Sequence, residues 1–424
     1  MPEPSSWGVT TEKADSVGKI LVIGSGFAGF WAAIAARRVA GTRADISLVS
    51  PGPVLEIRPR LYEARPETLG VDLLPLLEKV DVRFVSGTVT GLYASARAVA
   101  LSDGERLTYD RLIVATGSRI RRPPVPGAET AYSVDTLAEA IAFDRRLAEI
   151  AHDVAQPTIA VVGGGFTGIE LVLELRDRLL AHNTNGVSER ARLVLIDRSD
   201  VIGPELGPGP RPVIADALAA ANVELRLGAE VQSLTANRVR LADGGGLDAD
   251  AVVLASGMTA APFAAQVPGE RDRLGRVVVD AALKAPAAPE IFVAGDAAAA
   301  DTGDGHWTLQ SCQHAGQLGR VAGENAARDL LGLPTVPYTQ LRYATCLDLG
   351  RSGAVFTLGW ERRVQETGNA AKALKRMINT RLIYPPLDGT AEALLESSTI
   401  DALERARERD GNKDHQTSAS EGVV

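Results

Sequence analysis

The amino-acid sequence predicts an α/β fold with two similar units of strand, glycine-rich loop and helix, followed by a small C-terminal region. The first observation is a repeated motif, G-S-G-F-A-G at residues 24–29 and G-G-G-F-T-G at residues 163–168. The second is that an apolar run precedes each motif and a helix-like stretch follows it. The third is a matching strand end, V-A-T-G at residues 114–117 and L-A-S-G at residues 254–257. Together these repeats predict two Rossmann-like domains.

Each glycine motif has the composition of a phosphate-binding loop. Its first glycine permits a tight turn, its second lets the backbone approach a pyrophosphate, and its third lets the helix pack closely on the strand. The helix N-terminus then offers free N–H groups and partial positive charge to the phosphates. Tight turns without a ligand are the alternative, but the repeat favours two bound dinucleotides. The predicted contact residues are Gly24, Gly26, Phe27, Ala28 and Gly29 in the first loop, and Gly163, Gly165, Phe166, Thr167 and Gly168 in the second.

The first unit begins with apolar runs at residues 19–23 and 44–49, which we expect to be buried parallel strands. Residues 54–80 contain turn breaks and a helix-like patch, and residues 82–107 alternate like an antiparallel meander. A further buried strand at residues 111–117 runs into a glycine turn. The proline cluster that follows marks a linker.

The second unit repeats this order of elements. A helical stretch comes first, then two strands, a meander and a last strand that ends in a glycine turn; their ranges are 136–151, 158–162, 192–197, 223–247 and 250–257. Residues 291–296 form one further buried strand, which ends in Gly-Asp. The economical explanation is that the second domain is inserted in the first.

Composition narrows the class of function. The 424 residues carry a formal net charge of −8, which argues against a general nucleic-acid binder and favours small-molecule chemistry. The two cysteines, Cys312 and Cys346, and the five scattered histidines have no metal-ligand spacing, so we expect no metal. Residues 1–15 lack the pattern of a signal peptide, and no apolar run reaches the length of a membrane span. We therefore expect a cytoplasmic protein.

With these motifs in place, residues 19–386 resemble the type II NADH dehydrogenase-like group of two-dinucleotide flavoproteins. The resemblance implies FAD at the first loop and NAD(P)H at the second. It implies an FAD-binding domain of residues 1–122 and 259–336, an NAD(P)H-binding domain of residues 123–258, and a C-terminal region of residues 337–390. Further residues that it implies at the cofactors are Ala115, Thr116, Gly117, Gly295 and Asp296 around FAD, Val89 near the adenine, Pro59 and Arg60 at the flavin entrance, and Gly257 in the second unit.

Two residues at strand ends bear on the choice of cofactor. Ser50 stands where many family members have an acidic residue that binds the FAD ribose. FAD remains the favoured flavin, because the serine oxygen can still accept a hydrogen bond from one ribose hydroxyl. Asp197 can accept hydrogen bonds from both ribose hydroxyls and would repel a 2′-phosphate, which favours NADH. Arg198 next to it has the opposite effect, so NADPH stays an alternative.

The route by which electrons leave the flavin is indicated by residues 312–317. The chain has no cysteine before Cys312, so the redox cysteine pair of the disulfide reductases is absent. The segment C-Q-H-A-G-Q resembles the quinone-site motif of type II NADH dehydrogenases, although Cys312 replaces the usual alanine. Gln313 and Gln317, four residues apart on one helix face, would then bind a quinone carbonyl. The alternative is a polar helix face that packs near the flavin.

Glu170 is the third predicted catalytic residue. The family has a glutamate at this position, close to the nicotinamide, and the alternative role is a favourable charge in the first turn of a helix. The resemblance implies that hydride passes from NADH to FAD, and that two electrons then pass to a quinone-like acceptor. The open alternatives are a flavin oxidoreductase that acts on a natural-product intermediate, and a redox-controlled binding protein similar to apoptosis-inducing factor, whose dimerisation responds to reduction.

The C-terminal region bears on localisation. Residues 370–384 read as a short basic amphipathic helix, with an apolar face and four cations; its members are Leu374, Met377, Ile378 and Leu382, and Lys372, Lys375, Arg376 and Arg381. Such a helix lies either on an anionic membrane surface or on the protein body. Residues 391–424 are predicted to be a disordered tail.

Overall fold

The computed structural model describes residues 16–402. The strands in this range are β1 (Gly18–Ile23), β2 (Ala44–Ser50), β3 (Val54–Glu56), β4 (Gly70–Asp72), β5 (Arg83–Ser86), β6 (Val89–Tyr93), β7 (Ala98–Leu101), β8 (Arg106–Thr108), β9 (Arg111–Val114), β10 (Ser118–Ile120), β11 (Tyr132–Ser133), β12 (Thr158–Val162), β13 (Arg192–Ile196), β14 (Val223–Arg226), β15 (Val231–Thr235), β16 (Arg238–Leu241), β17 (Gly246–Asp248), β18 (Ala251–Leu254), β19 (Met258–Ala260), β20 (Val277–Val278), β21 (Lys284–Ala285), β22 (Ala288–Val293), β23 (Ala298–Ala299), β24 (Ala344–Asp348), β25 (Ala354–Leu358) and β26 (Arg363–Thr367). The α-helices are α1 (Phe27–Ala40), α2 (Leu74–Lys79), α3 (Leu137–Asp153), α4 (Phe166–His182), α5 (Val187–Arg190), α6 (Arg211–Ala220), α7 (Cys312–Leu330), α8 (Gly368–Met377) and α9 (Ala391–Glu396).

Two sheets, each built mainly from parallel strands, organise the chain. The first has the order β21-β22-β9-β1-β2-β5, and the second has the order β11-β18-β12-β13-β14. In both sheets the strand before the glycine loop is central and consecutively buried, as expected for a strand covered on both faces. The order β9-β1-β2 in one sheet matches β18-β12-β13 in the other, so the repeat in the sequence is a repeat in structure.

The chain leaves the first sheet after β9, forms the second sheet, and returns to the first sheet at β22. The strands of the second sheet lie in sequence between β9 and β22, yet β22 pairs with β9 in the first sheet, with Ile291 opposite Leu112. Strands β10 and β19, on the two connecting segments, pair antiparallel with each other. Each of the two expected meanders forms a three-stranded antiparallel sheet, β6-β7-β8 and β15-β16-β17, but the first strand of each expected range, β5 or β14, instead pairs parallel at the edge of a large sheet.

Helices α1 and α7 pack unusually closely. A methyl group on Gly323 would lie 2.1 Å from the carbonyl oxygen of Ala32, and one on Gly319 would lie 2.3 Å from that of Ala28. Real side chains do not tolerate such distances, so these two glycines allow the backbones to touch. This packing fixes the N-terminus of α7 beside the first glycine loop.

The C-terminal part of the chain contradicts one sequence expectation and bears on a second, for which two alternatives were open. Residues 391–402 of the predicted disordered tail contain α9, whose Leu394 is fully buried; the rest of that tail, residues 403–424, lies outside the described residues. The basic amphipathic helix forms as α8 and a following π-helix (Ile378–Leu382), but Lys375 on it is buried. Two cations of the expected membrane face, Lys372 and Lys375, point inward to Asp348 and Glu170. Packing on the protein body is therefore the interpretation that the structure supports.

Candidate active site

The first glycine loop forms an open cradle at the carboxyl end of β1. Gly24 has φ of +106°, and a methyl group there would lie 2.3 Å from the carbonyl oxygen of Ala115, so only glycine fits. A methyl group on Gly26, in contrast, would meet no atom of the described chain within 4 Å. The backbone at Gly26 is thus free to approach a pyrophosphate. Phe27, Ala28 and Gly29 then begin α1.

Predicted residues distant in sequence meet at this cradle. Ala115 and Thr116 follow β9, which pairs with β1, and Gly117 turns the chain with φ of +70°. A methyl group on Gly295 would lie 2.7 Å from Cβ of Ala28. Within residues 16–402 the buried hydroxyl of Thr116 has no hydrogen-bond partner. A buried polar atom without a partner beside an open glycine loop fits a polar cofactor such as a flavin dinucleotide.

Asp296, which follows Gly295, is held by polar contacts with two other parts of the chain. The hydroxyl of Ser118 donates to Asp296 at 2.6 Å, and Nη1 of Arg58 lies 3.7 Å from the carboxylate. Burial raises the pKa of Asp296 above its ordinary value. Arg58, which precedes the predicted entrance residues Pro59 and Arg60, is thus a partner of Asp296 that the sequence did not indicate.

Arg60 instead faces the C-terminal region. Its guanidinium pairs with Glu63 at 2.7 Å and donates to the hydroxyl of Tyr384 at 2.9 Å. Arg58 and Arg60 flank Pro59 symmetrically in the sequence, so no local signal distinguishes them. Only the three-dimensional path of the short 3-10 helix Arg58–Arg60 separates their directions.

Ser50 and Val89 lie at the carboxyl edge of the first sheet. Ser50 ends β2, is buried, and donates its hydroxyl to the carbonyl of Gly52 at 2.5 Å. Its own carbonyl accepts from the N–H of Gly87 at 2.9 Å, two residues before Val89 begins β6. The serine oxygen retains a lone pair for a ribose hydroxyl, although its proton is already used.

The second glycine loop repeats this geometry at the end of β12. Gly163 has φ of +118°, and a methyl group there would lie 2.2 Å from the carbonyl oxygen of Ala255. Gly257 turns the chain after β18 with φ of +82°. Asp197 follows β13, and its carboxylate accepts from the N–H of Gly164 at 2.5 Å and from that of Ser199 at 2.7 Å. Thr167 is exposed and Gly168 is buried in the first turn of α4.

The N-terminus of α4 has one further contact. The N–H of Phe166 donates to Oε1 of Glu205 at 3.1 Å. A methyl group on Gly165 would lie 2.5 Å from the same oxygen. Two amide groups of the second loop, those of Gly164 and Phe166, therefore donate to carboxylates of the chain itself.

Glu170 is buried on α4 and forms an ion pair. Nζ of Lys375 donates to its Oε1 at 2.8 Å, and the N–H of Asp348 donates to the same oxygen at 2.9 Å. Burial raises the pKa of Glu170 to about 7, although Lys375 opposes this shift. The Lys375 ammonium also lies 5.6 Å from the ring centre of Phe166, the first residue of α4 in the second glycine loop. Glu170 therefore has a specific partner, Lys375, beside the second loop. A carboxylate that only stabilised the end of a helix would not need this partner.

The buried cluster around the Glu170–Lys375 ion pair contains further residues that the sequence did not predict to lie there. The Lys375 ammonium lies 5.7 Å from the ring centre of Tyr62, whose hydroxyl donates to Asp348 at 3.2 Å. A polar cavity of about 410 Å³ opens next to the cluster, and its lining includes Lys375, Lys372 and Glu174. Burial raises the pKa of Glu174 to about 7. No sequence motif joins these groups, because α4 and α8 are some two hundred residues apart.

Gln313 and Gln317 lie on the first turns of α7, as expected, and both amide nitrogens have backbone partners. Nε2 of Gln317 donates to the carbonyl of Ile400 at 2.9 Å, and Nε2 of Gln313 donates to that of Arg342 at 3.3 Å. A methyl group on Gly295 would lie 3.8 Å from Cβ of Ala315, so the first turn of α7 adjoins the first cradle through the opposite face of the helix, since residues two apart do not share a face. The C-terminal region thus covers the two glutamines.

A column of stacked rings begins between these glutamines. His314 stacks on Tyr343 at 5.3 Å between ring centres, Tyr343 on Trp360 at 4.5 Å, and Trp360 on the exposed His306 at 4.5 Å. His314 is fully buried; its Nδ1 contacts the Ser311 hydroxyl at 3.0 Å, and its Nε2 has no partner in the described part of the chain. Burial lowers the pKa of His314 to about 4.

Cys312 is a half-buried free thiol at the start of α7. Burial raises its pKa to about 11, so the thiolate is disfavoured at neutral pH.

Comparison with known proteins first defines the class. The fold is that of FAD- and NAD-binding oxidoreductases: the sulfide:quinone oxidoreductase of Aquifex aeolicus superimposes with a TM-score of 0.74 over 90% of this chain and 92% of that one, at 18% identity. Residues 18–319 match the pyridine nucleotide-disulphide oxidoreductase family, and the chain belongs to that family.

Two relatives narrow the class further. An NADH dehydrogenase-like protein of Mycobacterium tuberculosis is 42% identical over 391 residues, covering 90% of this chain and 98% of the relative. A type II NADH:quinone oxidoreductase of the same organism is 30% identical over 311 residues, covering 66% of each. The chain is therefore an NADH dehydrogenase-like oxidoreductase, and its family implies the use of a flavin and NAD(H). Among residues 16–402, no helix combines the length and apolarity needed to span a bilayer.

Proposed function

We propose that the protein is an FAD-dependent dehydrogenase that oxidises NADH and passes two electrons to a quinone or a similar flat acceptor. The observation that carries this proposal is the presence of two glycine-loop cradles on two matching sheets. Helix α7, which carries the motif similar to a quinone site, packs beside the first cradle. Residues 1–122 and 259–336 would form the FAD-binding domain, and residues 123–258 the NADH-binding domain inserted in it. Residues 337–390 would cover the flavin.

The first cradle supplies what FAD requires. The open backbone at Gly26 and the N-terminus of α1 would hold the pyrophosphate. The unpaired hydroxyl of Thr116 would bond the cofactor, and Ser50 would accept from the adenosine ribose. When bound, the flavin accepts electrons from the dihydronicotinamide and yields them to the acceptor. The protein positions the two partners and excludes water.

The second cradle would bind NADH through Asp197 and the N-terminus of α4. Asp197 lies at the end of β13, where an acidic residue accepts from the ribose hydroxyls and disfavours a 2′-phosphate. Glu170 and Lys375 would lie next to the nicotinamide end, since Phe166 of the same loop contacts the Lys375 ammonium. A carboxyl whose pKa is about 7 can hold or release a proton at physiological pH.

The acceptor would lie at the face of α7 that carries Gln313 and Gln317. Neutral amides bond a carbonyl oxygen of the acceptor without fixing a charge beside it. The identification of a quinone is supported by the name of the mycobacterial relative, a type II NADH:quinone oxidoreductase. Because Ile400 accepts from Gln317, part of the C-terminal region would shift when the acceptor binds.

Anaerobic stopped-flow absorbance tests this proposal in two half-reactions. The purified yellow protein is mixed with NADH and then with a soluble quinone, while the flavin band is followed. Rapid bleaching and rapid recovery are expected. Gln317→Ala should slow the recovery about tenfold, the effect of losing one hydrogen bond of about 1.4 kcal/mol, and should leave the bleaching unchanged. Gln365→Ala, on the exposed strand β26, is the matched control.

Other outcomes would redirect the proposal. Equal loss of both half-reactions in Gln317→Ala would contradict the role of this face. Bleaching without recovery in the wild-type protein would retain NADH and flavin but point to a different acceptor or to a redox-controlled binding role.

A further inference from the structure

The two phosphate cradles differ in what their amide groups contact. At the first cradle, a methyl group on Gly26 would meet nothing within 4 Å among the described residues. At the second, Oε1 of Glu205 accepts from the N–H of Phe166 at 3.1 Å and lies 2.5 Å from the position of a methyl group on Gly165. The Glu205 carboxylate therefore occupies the place where the second glycine loop would receive a phosphate.

The backbone that carries Glu205 is anchored on both sides. Glu205 belongs to the short 3-10 helix Pro204–Leu206, and its side chain is exposed, whereas Ile202 and Leu206 are buried. The N–H of Gly203 donates to the carbonyl of Gly164 at 3.0 Å, which ties this turn directly to the glycine loop. Removing the carboxylate from the loop thus requires rotation of one exposed side chain, without opening of the turn.

We infer that Glu205 is an internal competitor for the pyrophosphate of the dinucleotide, and that it sets the affinity of the second site. This inference rests on the proposed function, since it assigns the second cradle to NAD(H). A carboxylate and a phosphate are both anions, and the N–H of Phe166 points to one position. Binding of the dinucleotide therefore displaces Glu205 toward solvent, and part of the binding free energy is spent on breaking its contact. The competition weakens product binding as well, which favours release of NAD⁺.

The affinity of the wild-type protein for NAD⁺ can be compared with that of Glu205→Gln by isothermal titration calorimetry. The neutral amide holds the N–H less strongly and does not repel the phosphates. We expect the Kd for NAD⁺ to fall about three- to tenfold, the range given by the loss of one helix-end contact. In stopped flow, the NADH concentration at half-saturation should fall by the same factor, while the limiting rate of flavin bleaching stays unchanged.

Matched variants and ligands separate this effect from others. Asp216→Asn, an exposed position on α6, removes one negative charge from the same domain and should leave the Kd unchanged. Glu205→Asp keeps the charge but shortens the side chain, so it should give a smaller gain than Glu205→Gln. The gain should appear with ADP-ribose and vanish with adenosine, which has no phosphate.

These measurements distinguish failure of the inference about Glu205 from failure of the proposed function. If the wild-type protein binds NAD⁺ and its flavin is bleached by NADH, but Glu205→Gln binds NAD⁺ with equal or lower affinity, the competition is wrong and Glu205 only caps α4. If the wild-type protein binds no NAD⁺, the proposed function itself fails.

Discussion

The ammonium group of Lys375 lies 2.8 Å from a carboxylate oxygen of Glu170, and both side chains are almost fully buried. This contact joins α4, which follows the second glycine loop, to α8 of the C-terminal region. The oxygen of Glu170 is also bonded by the N–H of Asp348, so the pair sits in a network that spans three parts of the chain. The network connects the proposed NADH site with the C-terminal region, which is proposed to cover the flavin.

Removal of one partner of this pair should cost more stability than removal of both. Lys375→Met leaves Glu170 buried without its cation, and we expect the free energy of unfolding to fall by about 3–5 kcal/mol. The double variant Lys375→Met/Glu170→Gln should recover most of this loss, because no unpaired charge stays buried. Urea unfolding at pH 7 of the wild type, both single variants and the double variant measures the coupling. Additive losses would contradict the ion pair.

A second prediction concerns acid stability and His314. Because burial lowers the pKa of His314 to about 4, the unfolded chain takes up this proton near pH 6.5 but the folded chain only near pH 4. Between these values the unfolded chain binds more protons, so stability is lost as the pH falls through this window. The contribution is about 3 kcal/mol, from about 2.5 pKa units at 1.36 kcal/mol each.

His314→Gln, which cannot take up this proton, tests that prediction. The free energy of unfolding of the variant should fall less steeply between pH 6.5 and pH 4 than that of the wild type. His306→Gln, at the exposed end of the same ring column, is the control and should keep the wild-type slope. Parallel slopes for His314→Gln and the wild type would show that His314 does not contribute to acid unfolding.

The glycine loops and their strands were predictable because local sequence determines them. A run of apolar residues followed by spaced glycines defines a strand, a turn and a helix start, and the two loops lie where expected. The buried cluster was not predictable in this way. Lys375 is on a helix whose pattern also suits a membrane surface, and only its meeting with Glu170 explains its burial. The direction of Arg58 rather than Arg60 toward Asp296 depends equally on tertiary contacts.

The sequence also did not predict that residues from later in the chain cover Gln313 and Gln317. Gln313 and Gln317 are four residues apart, so their common helix face follows from the sequence. Their backbone partners are Arg342 of the C-terminal region and Ile400 of the segment that follows it. Ile400 belongs to a segment whose polar composition suggested disorder, yet Leu394 and Ser398 in it are fully buried. The average composition of a segment predicts disorder even when a few of its side chains are buried and hold it in place.

The close contact of α1 and α7 gives a third prediction. Gly323→Ala would place a methyl group 2.1 Å from the carbonyl oxygen of Ala32, so the helices must separate. We expect a loss of about 2–3 kcal/mol or more in stability, typical of overpacking, and a lower content of bound flavin after purification. Thermal unfolding and the ratio of flavin to protein absorbance measure both effects.

Gly316→Ala on the same helix is the control for this prediction. A methyl group there would meet only the end of the Arg320 side chain at 3.2 Å and Trp31 at 3.7 Å. Alanine also has the higher helix propensity, by up to about 1 kcal/mol. Gly316→Ala should therefore be near neutral. Equal losses in both variants would contradict the assignment of the loss to the close backbone contact at Gly323.

The late position of β22 has a consequence for synthesis on the ribosome. The chain emerges from its N-terminus, so β9 is made long before Ala288–Val293, the strand that covers its edge. During this interval every strand of the second sheet is completed. The nascent chain thus carries one finished sheet and one with an open apolar edge, which is the form most exposed to misassociation. A slow stretch of translation before residue 288 would prolong that state, and a chaperone that binds extended apolar segments would protect it.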